Sequence, residues 1–309
     1  MLQRCMIHSR GSVKLAARLY STHTLVRSGK VTTATLAKLY RQTTPISVVT
    51  AHDYPSALAA NKANIDIILV GDSLAMVACG YDDTTQLSME EMLFHCRSVK
   101  RGAKNAFLVA DLPFGSFEVS PEQAMRSAIR LVQEGGMEAV KLEGGREMAE
   151  TVRKITRHGI SVMGHVGLLP QRQASLGGFK VQGKTAEGAE AVLQDALALQ
   201  DAGCMSIVLE AIPAPVAEIV TQRLRIPTIG IGAGAACSGQ VLVQMDMLGV
   251  FDRFVPRFCK QYDQLGGRTS EAITRYNEEV KARRFPAEEH TYPADSPALA
   301  AWVAKNKAS

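Results

Sequence analysis

IDIILVGDS, residues 65–73, carries the clearest mark of the architecture. Its apolar residues run on without the alternation of a half-wetted strand, and the run stops at Gly71, Asp72 and Ser73. A strand that is apolar on both faces has to be covered on both, as in a parallel sheet wrapped in helices. The same signature recurs outward from it, in ISVVTAH (46–52), AFLVADL (106–112), EAVKLE (138–143), SVMGHV (161–166), SIVLE (206–210) and PTIGI (227–231). FDRFVP (251–256) reads as the eighth and weakest strand. Helical patterns lie between. The segment 120–136 opens on Ser120 as N-cap with Pro121 in the first turn and closes at Gly135-Gly136. The segments 145–160 and 184–204 end at Gly159 and Gly203. Eight strands alternating with helices allow a doubly wound sheet or a (β/α)8 barrel. The count and the length of 309 residues favour α/β architecture of the (β/α)8 TIM-barrel kind.

The formal charge of +5 is misleading as a whole-chain figure. Residues 1–52 carry eight Lys or Arg and no acid, which leaves 27 basic against 30 acidic residues over 53–309. The body is slightly acidic and has no basic stripe, so nucleic-acid binding is not expected. No apolar run reaches eighteen residues, so no membrane-spanning helix is expected either. The Arg-rich, acid-free start, MLQRCMIHSRGSVKLAARLYSTHTL, has the pattern of a mitochondrial transit peptide, with Arg18-Leu19-Tyr20 as a cleavage context. A disordered basic tail is the plainer alternative. The expected organisation is a targeting extension over 1–30, a barrel over 31–290 and a surface tail over 291–309. The six cysteines form no CxxC pair and no zinc spacing, and read as reduced thiols.

Catalytic groups of such a barrel gather where strands end. Asp72, Asp111 and Glu143 end three successive strands. Three carboxylates at one mouth repel one another unless a cation neutralises them, and oxygen ligands suit Mg²⁺ or a similar hard ion. Each acid taken alone is a strand-end cap or an ion-pair partner. Lys141 lies two residues before Glu143 and shares its face. It can grip a substrate carboxylate, form a Schiff base, or serve a structural salt bridge. His165 can donate to a developing enolate oxygen, or be a satisfied core histidine. Glu210, between an apolar strand and a Pro-rich loop, suits a general base or a loop cap. GIGAG (230–234) has the look of an anion-binding turn before a helix.

TAHDYPSA (50–57), LVGDSLAMVACGYDDT (69–84), RGAKNAFLVADLPFGSF (101–117), VKLEGG (140–145), GHVGLLPQ (164–171), GGFKVQGK (177–184), VLEAIPAP (208–215), IPTIGIGAG (226–234) and VPRFCKQY (255–262) together resemble the ketopantoate hydroxymethyltransferase family. The resemblance spans roughly residues 30–290. It implies a (β/α)8 fold and Mg²⁺ held by Asp72, Asp111 and Glu143. It implies oxo-acid contacts from Asp72, Ser73, Asp111 and Lys141, with Glu210 as proton acceptor. His165 also matches the family pattern. The implied reaction transfers a hydroxymethyl group from 5,10-methylenetetrahydrofolate to 3-methyl-2-oxobutanoate through a metal-stabilised enolate, giving 2-dehydropantoate for pantothenate biosynthesis. Large homo-oligomers, often decamers, and a location in the mitochondrial matrix complete the expectation. The rival readings are a phosphoenolpyruvate or oxo-acid lyase on the same barrel, and a catalytically dead binding barrel.

Overall fold

The computed structural model describes residues 29–178, 180–293 and 295–307. The proposed import segment, with its cleavage near residue 20, lies outside them. Eight parallel strands close in sequence order into a barrel. They are β1 (Ile46–Thr50), β2 (Ile67–Val70), β3 (Phe107–Asp111), β4 (Ala139–Glu143), β5 (Ser161–Gly167), β6 (Ser206–Glu210), β7 (Thr228–Ile231) and β8 (Gly239–Leu242). The first seven coincide with the apolar runs of the sequence.

The eighth does not. FDRFVP is irregular chain, and GQVL takes its place beside β1, with Ile46 opposite Gly239. A Cβ at Gly239 would stand 2.3 Å from the Ile46 carbonyl oxygen, so glycine is what lets the last strand approach the first and close the barrel. β7 also runs into β8 through residues 232–238 with no helix between them. GIGAG therefore opens no helix, and the expected anion-binding turn is not formed. Its glycines make close approaches instead: Gly232 lies against Phe258 and Gly234 against Ala214.

The period of two along each strand divides the core. Inward residues Ile46, Val48, Ile67, Leu69, Phe107, Val109, Ala139, Met163, Val208, Ile229 and Val241 fill the barrel. Their outward neighbours, among them Val49, Ile68, Leu108, Val140, Val162 and Ile207, pack beneath the helices. The helix Thr33–Arg41 supplies Leu36, which with Val31 joins the inner core. Helix starts follow the sequence signals. Ser120 accepts the Gln123 N–H at 3.1 Å ahead of Pro121–Gln133, and Thr185 accepts the Gly188 N–H at 3.1 Å ahead of Ala186–Asp201. Gly159 and Gly203 leave their helices at φ 88° and 103°.

The C-terminal tail lies at the surface. It carries the helix Pro297–Lys307, none of whose residues is buried, after the equally exposed helix Leu265–Lys281. Among the described residues no helix is long and apolar enough to cross a membrane. The five described cysteines are free thiols.

Candidate active site

The inward periodicity that fills the barrel with apolar side chains turns polar at its C-terminal mouth. Phe107 and Val109 are followed on the same face by Asp111, Ala139 by Lys141 and Glu143, Met163 by His165, and Val208 by Glu210. Parallel register sets Asp111 beside Lys141, Glu143 beside His165 and Gly167 beside Glu210. Asp72 and Ser73 follow the end of β2, and Ser73 opens the short helix Leu74–Val77. All seven candidate residues line one cavity of about 480 Å³.

Asp72, Asp111 and Glu143 are 5%, 2% and 1% exposed, which is where unpaired charge is most costly. Lys141 Nζ donates to Asp111 Oδ1 at 2.7 Å. Asp111 Oδ2 accepts the Asp72 N–H at 2.9 Å. Burial first, then the neighbouring Asp111 and Glu143, push the Asp72 carboxyl well above the ordinary aspartate value. Burial works against the Lys141 ammonium, but Asp111, Asp72 and Glu143 outweigh it and hold its pKa above that of a free lysine. One ammonium among three acids leaves an excess of negative charge.

Gln171 is the site residue that the sequence reading missed. It is buried, its Nε2 donates to Asp72 Oδ2 at 2.8 Å and to the Leu112 carbonyl at 3.0 Å, and its backbone N–H donates to Glu143 Oε2 at 3.1 Å. It follows β5 in the turn Pro170–Arg172, and only the position after Leu169-Pro170 hinted at it.

His165 is fully enclosed between two carboxylates. Its Nε2 is 3.1 Å from Glu210 Oε2 and its Nδ1 3.5 Å from Glu143 Oε1, neither aligned as a full hydrogen bond. Burial and Lys141 oppose charging the ring, and the contacts with Glu143 and Glu210 prevail, raising its pKa to about 9. Both ring nitrogens face carboxylates, and on the Nε2 side the ring backs Glu210. Glu210 itself reaches the cavity, with its side chain 15% exposed. The next residue, Ala211, has φ 48°, a left-handed backbone unusual for a residue with a Cβ. Its backbone is fixed on both sides: the Ala211 N–H donates to the Ile231 carbonyl at 2.9 Å, and its own carbonyl accepts the Gln182 N–H at 3.0 Å.

The donor set suits a hard divalent cation. Asp72 and Asp111 are bridged through a backbone N–H, carboxylate oxygens retain a second lone pair toward the cavity, and Glu143 Oε1 is buried without a hydrogen-bond partner. Among the described residues, no three His, Cys, Asp or Glu side chains are drawn together around one ion position. Lys141 is bonded to Asp111, and Gln171 links Asp72 to Glu143 through its side chain and backbone N–H.

A family model of ketopantoate hydroxymethyltransferase matches residues 30–288. The chain is 58% identical over 266 residues to the 3-methyl-2-oxobutanoate hydroxymethyltransferase of Emericella nidulans, covering 85% of this chain and 76% of that one. It is 52% identical to the enzyme of the same name from Oleidesulfovibrio alaskensis, covering 88% and 93%. It is also 52% identical to 3-methyl-2-oxobutanoate hydroxymethyltransferase 2, mitochondrial, of Oryza sativa subsp. japonica, covering 85% and 67%. Among solved structures it is similar to phosphonopyruvate hydrolase in complex with oxalate and Mg²⁺, with a TM-score of 0.57 at 11% identity over 89% of this chain and 96% of that one. A 2,3-dimethylmalate lyase of the PEP mutase/isocitrate lyase superfamily gives 0.54 at 16% identity over 89% and 95%. At these identities the structural likeness is one of fold, whereas the sequence matches span the whole barrel: the chain belongs to the ketopantoate hydroxymethyltransferase family and is an enzyme of that activity.

Proposed function

We propose that the chain transfers a hydroxymethyl group from 5,10-methylenetetrahydrofolate to 3-methyl-2-oxobutanoate, giving 2-dehydropantoate on the route to pantothenate, with Glu210 as the base. The observation that carries the reading is the placement of Glu210. It is a carboxylate open to the same cavity as the buried group of Asp72, Asp111, Lys141 and Glu143, and it is held from behind by His165.

Asp72, Asp111 and Glu143 would hold Mg²⁺, which when bound supplies Lewis-acid polarisation of the 2-oxo group. Lys141, fixed by Asp111, presents its ammonium to the substrate carboxylate. Ser73 offers a hydroxyl at the same rim. Glu210 removes the proton from C3, and the ammonium of Lys141 and the backing of His165 keep the two reacting groups in register. The carbanionic carbon then attacks the methylene carried by the folate, and water cleaves the remaining C–N bond, its oxygen becoming the new hydroxyl and tetrahydrofolate leaving with the proton on nitrogen. Gln171 keeps Asp72 and Glu143 in place.

Enolisation needs no folate in this scheme. The enzyme should therefore exchange the C3 hydrogen of 3-methyl-2-oxobutanoate with deuterated water when folate is absent. Glu210→Gln should slow that exchange by about 10² to 10⁴, with oxo-acid binding in the presence of Mg²⁺ retained. NMR-monitored exchange at the wild-type rate in the variant removes Glu210 from the base role; lost binding places it among the substrate contacts.

The acid-free N-terminal extension and the mitochondrial rice relatives support import into the mitochondrial matrix. Mass spectrometry should find a mature N-terminus near residue 20, and an intact Met1 in cytosolic protein contradicts it. The exposed apolar residues Ile273, Tyr276 and Trp302 of the last two long helices support a homo-oligomer, of the decameric kind that the family resemblance implies.

A further inference from the structure

The cavity at the barrel mouth is far larger than a small oxo acid fills, and the chemistry of its walls changes along it. One side holds the charged group already described. The other is formed by the irregular chain after β8, where Phe251, Phe254, Pro256 and Phe258 face the opening. Phe251 and Phe254 meet edge to face with ring centres 5.5 Å apart. Within this aromatic wall lies one acid, Asp246.

Asp246 is 8% exposed and lines the cavity, yet its Oδ1 is buried without a hydrogen-bond partner, and among the described residues no ion pair reaches the carboxylate. Its place is fixed by its helix, Gln244–Met247, which is pinned to the far end of β1: the Gln244 N–H donates to Thr50 Oγ1 at 3.0 Å, and Gln244 Nε2 donates to the Ser56 carbonyl at 3.2 Å. The Asp246 backbone carbonyl accepts from Gln261 Nε2 at 3.3 Å. A pinned carboxylate with one oxygen buried and accepting nothing carries a local cost, and native structures rarely keep such a group without a use for it. Burial alone lifts its carboxyl to about 6.

We propose that Asp246 is the pterin-recognising residue: its two oxygens accept the ring N3–H and the 2-amino group of the folate, whose flat face lies against the Phe251 and Phe254 wall. The pairing matches geometry with chemistry. A 2-amino-4-oxopteridine presents two parallel N–H donors on one edge, and a carboxylate accepts two parallel donors in one plane. The ring has a face for aromatic contact, and Arg257, exposed at the rim of the same cavity, is positioned for the anionic glutamyl tail. The inference rests on the folate reading of the donor and adds the residue that selects it.

The test measures binding of tetrahydrofolate, which lacks the reactive methylene, by calorimetry with Mg²⁺ and 3-methyl-2-oxobutanoate present. The probe is paired with an analogue carrying methyl in place of the 2-amino group. Wild type should prefer tetrahydrofolate over the analogue by about 10- to 100-fold, the usual worth of hydrogen bonds to a charged partner. Asp246→Asn and Asp246→Ala should weaken tetrahydrofolate by a similar factor, and the preference should collapse toward one in the alanine variant. Folate-independent exchange of the C3 hydrogen reports whether the rest of the mouth is intact in each protein. Full affinity for tetrahydrofolate in both variants overturns the assignment. So does an equal loss of affinity for both probes, which marks a structural role. A wild-type enzyme that exchanges C3 hydrogen but binds no tetrahydrofolate breaks the folate reading itself, and this assignment with it.

Discussion

The two ends of the barrel are built on the same eight inner faces and obey opposite rules. At the N-terminal end the inward positions Ile46, Ile67, Phe107, Ala139 and Ile229 are closed off by Val31 and Leu36, and the packing is apolar apart from the buried hydroxyl of Ser206. At the C-terminal end the same faces carry Asp111, Lys141, Glu143, His165 and Glu210, charged groups around an open cavity. One end gains free energy from burial and the other loses it. The barrel can carry a crowded, charge-excess mouth because its floor and outer helices supply the stability.

Lys141→Met should have the largest effect at the charged end. It keeps the length of the side chain but removes the ammonium on which Asp111, Asp72 and Glu143 converge. Losing one partner of a buried ion pair typically costs about 3 to 5 kcal/mol, so a single substitution at the mouth should destabilise the fold as much as a core truncation. Urea denaturation measures it; a variant as stable as wild type means that the ammonium is not what makes the acids tolerable. Asp72→Asn should act in the opposite direction on the metal-free protein, since it removes the acid that burial and its neighbours most strongly resist ionising.

Leu36→Ala probes the other end. Leu36 is 5% exposed in the plug. Truncating a buried leucine costs about 2 to 5 kcal/mol, and the same urea experiment should show it. The C3-exchange rate per folded molecule should stay within about twofold of wild type, because the plug helix touches β1 and not the mouth. A large fall in exchange would show that the two ends are coupled through the strands.

How much of this was legible in the sequence follows from the same division. The apolar runs of β1 to β7 are readable because burial on both faces leaves no alternation to confuse. The acids that end them are readable because a charge after such a run is conspicuous. β8 is hidden because its residues were chosen for closure: Gly239 for its missing Cβ, and Gln240 at the rim, where its side chain donates to the Gly234 carbonyl at 2.9 Å. Gln171 is hidden because its meaning lies in Asp72, 99 residues away in sequence. Asp246 sits in VQMDML, where an acid reads as the wet side of a helix. Nothing local says that the chain after it folds back as Phe251, Phe254 and Phe258 and buries it. The reach of His165 toward Glu210 was likewise not legible, since two residues on adjacent strands can share a face without their side chains meeting.

The smallest effect is the sharpest on Asp246, because it needs no ligand. An unpaired acid in the empty cavity has its pKa raised from 3.8 to about 6 by burial. Such a carboxyl holds its proton more firmly in the folded chain than in the unfolded one, so its contribution favours the fold below about pH 4 and is lost as the pH climbs through about 6. Above that, the folded protein carries a desolvated charge that the unfolded chain would leave in water. Asp246→Asn removes the ionisation while preserving size. At pH 7 the variant should therefore be more stable than wild type by roughly 1 to 2 kcal/mol, a figure reduced for the water that reaches the cavity side. The advantage should shrink as the pH is lowered from 6 and be gone near 4, since both proteins are then neutral at this position. Urea midpoints of the two proteins at pH 4, 5, 6 and 7, without metal or substrate, trace the difference. A gap that does not change with pH would mean that Asp246 is already satisfied in the folded chain. A variant less stable than wild type at pH 7 would mean that the carboxylate supports the fold, and the region after β8 would then belong with the stabilising end of the barrel rather than with its mouth.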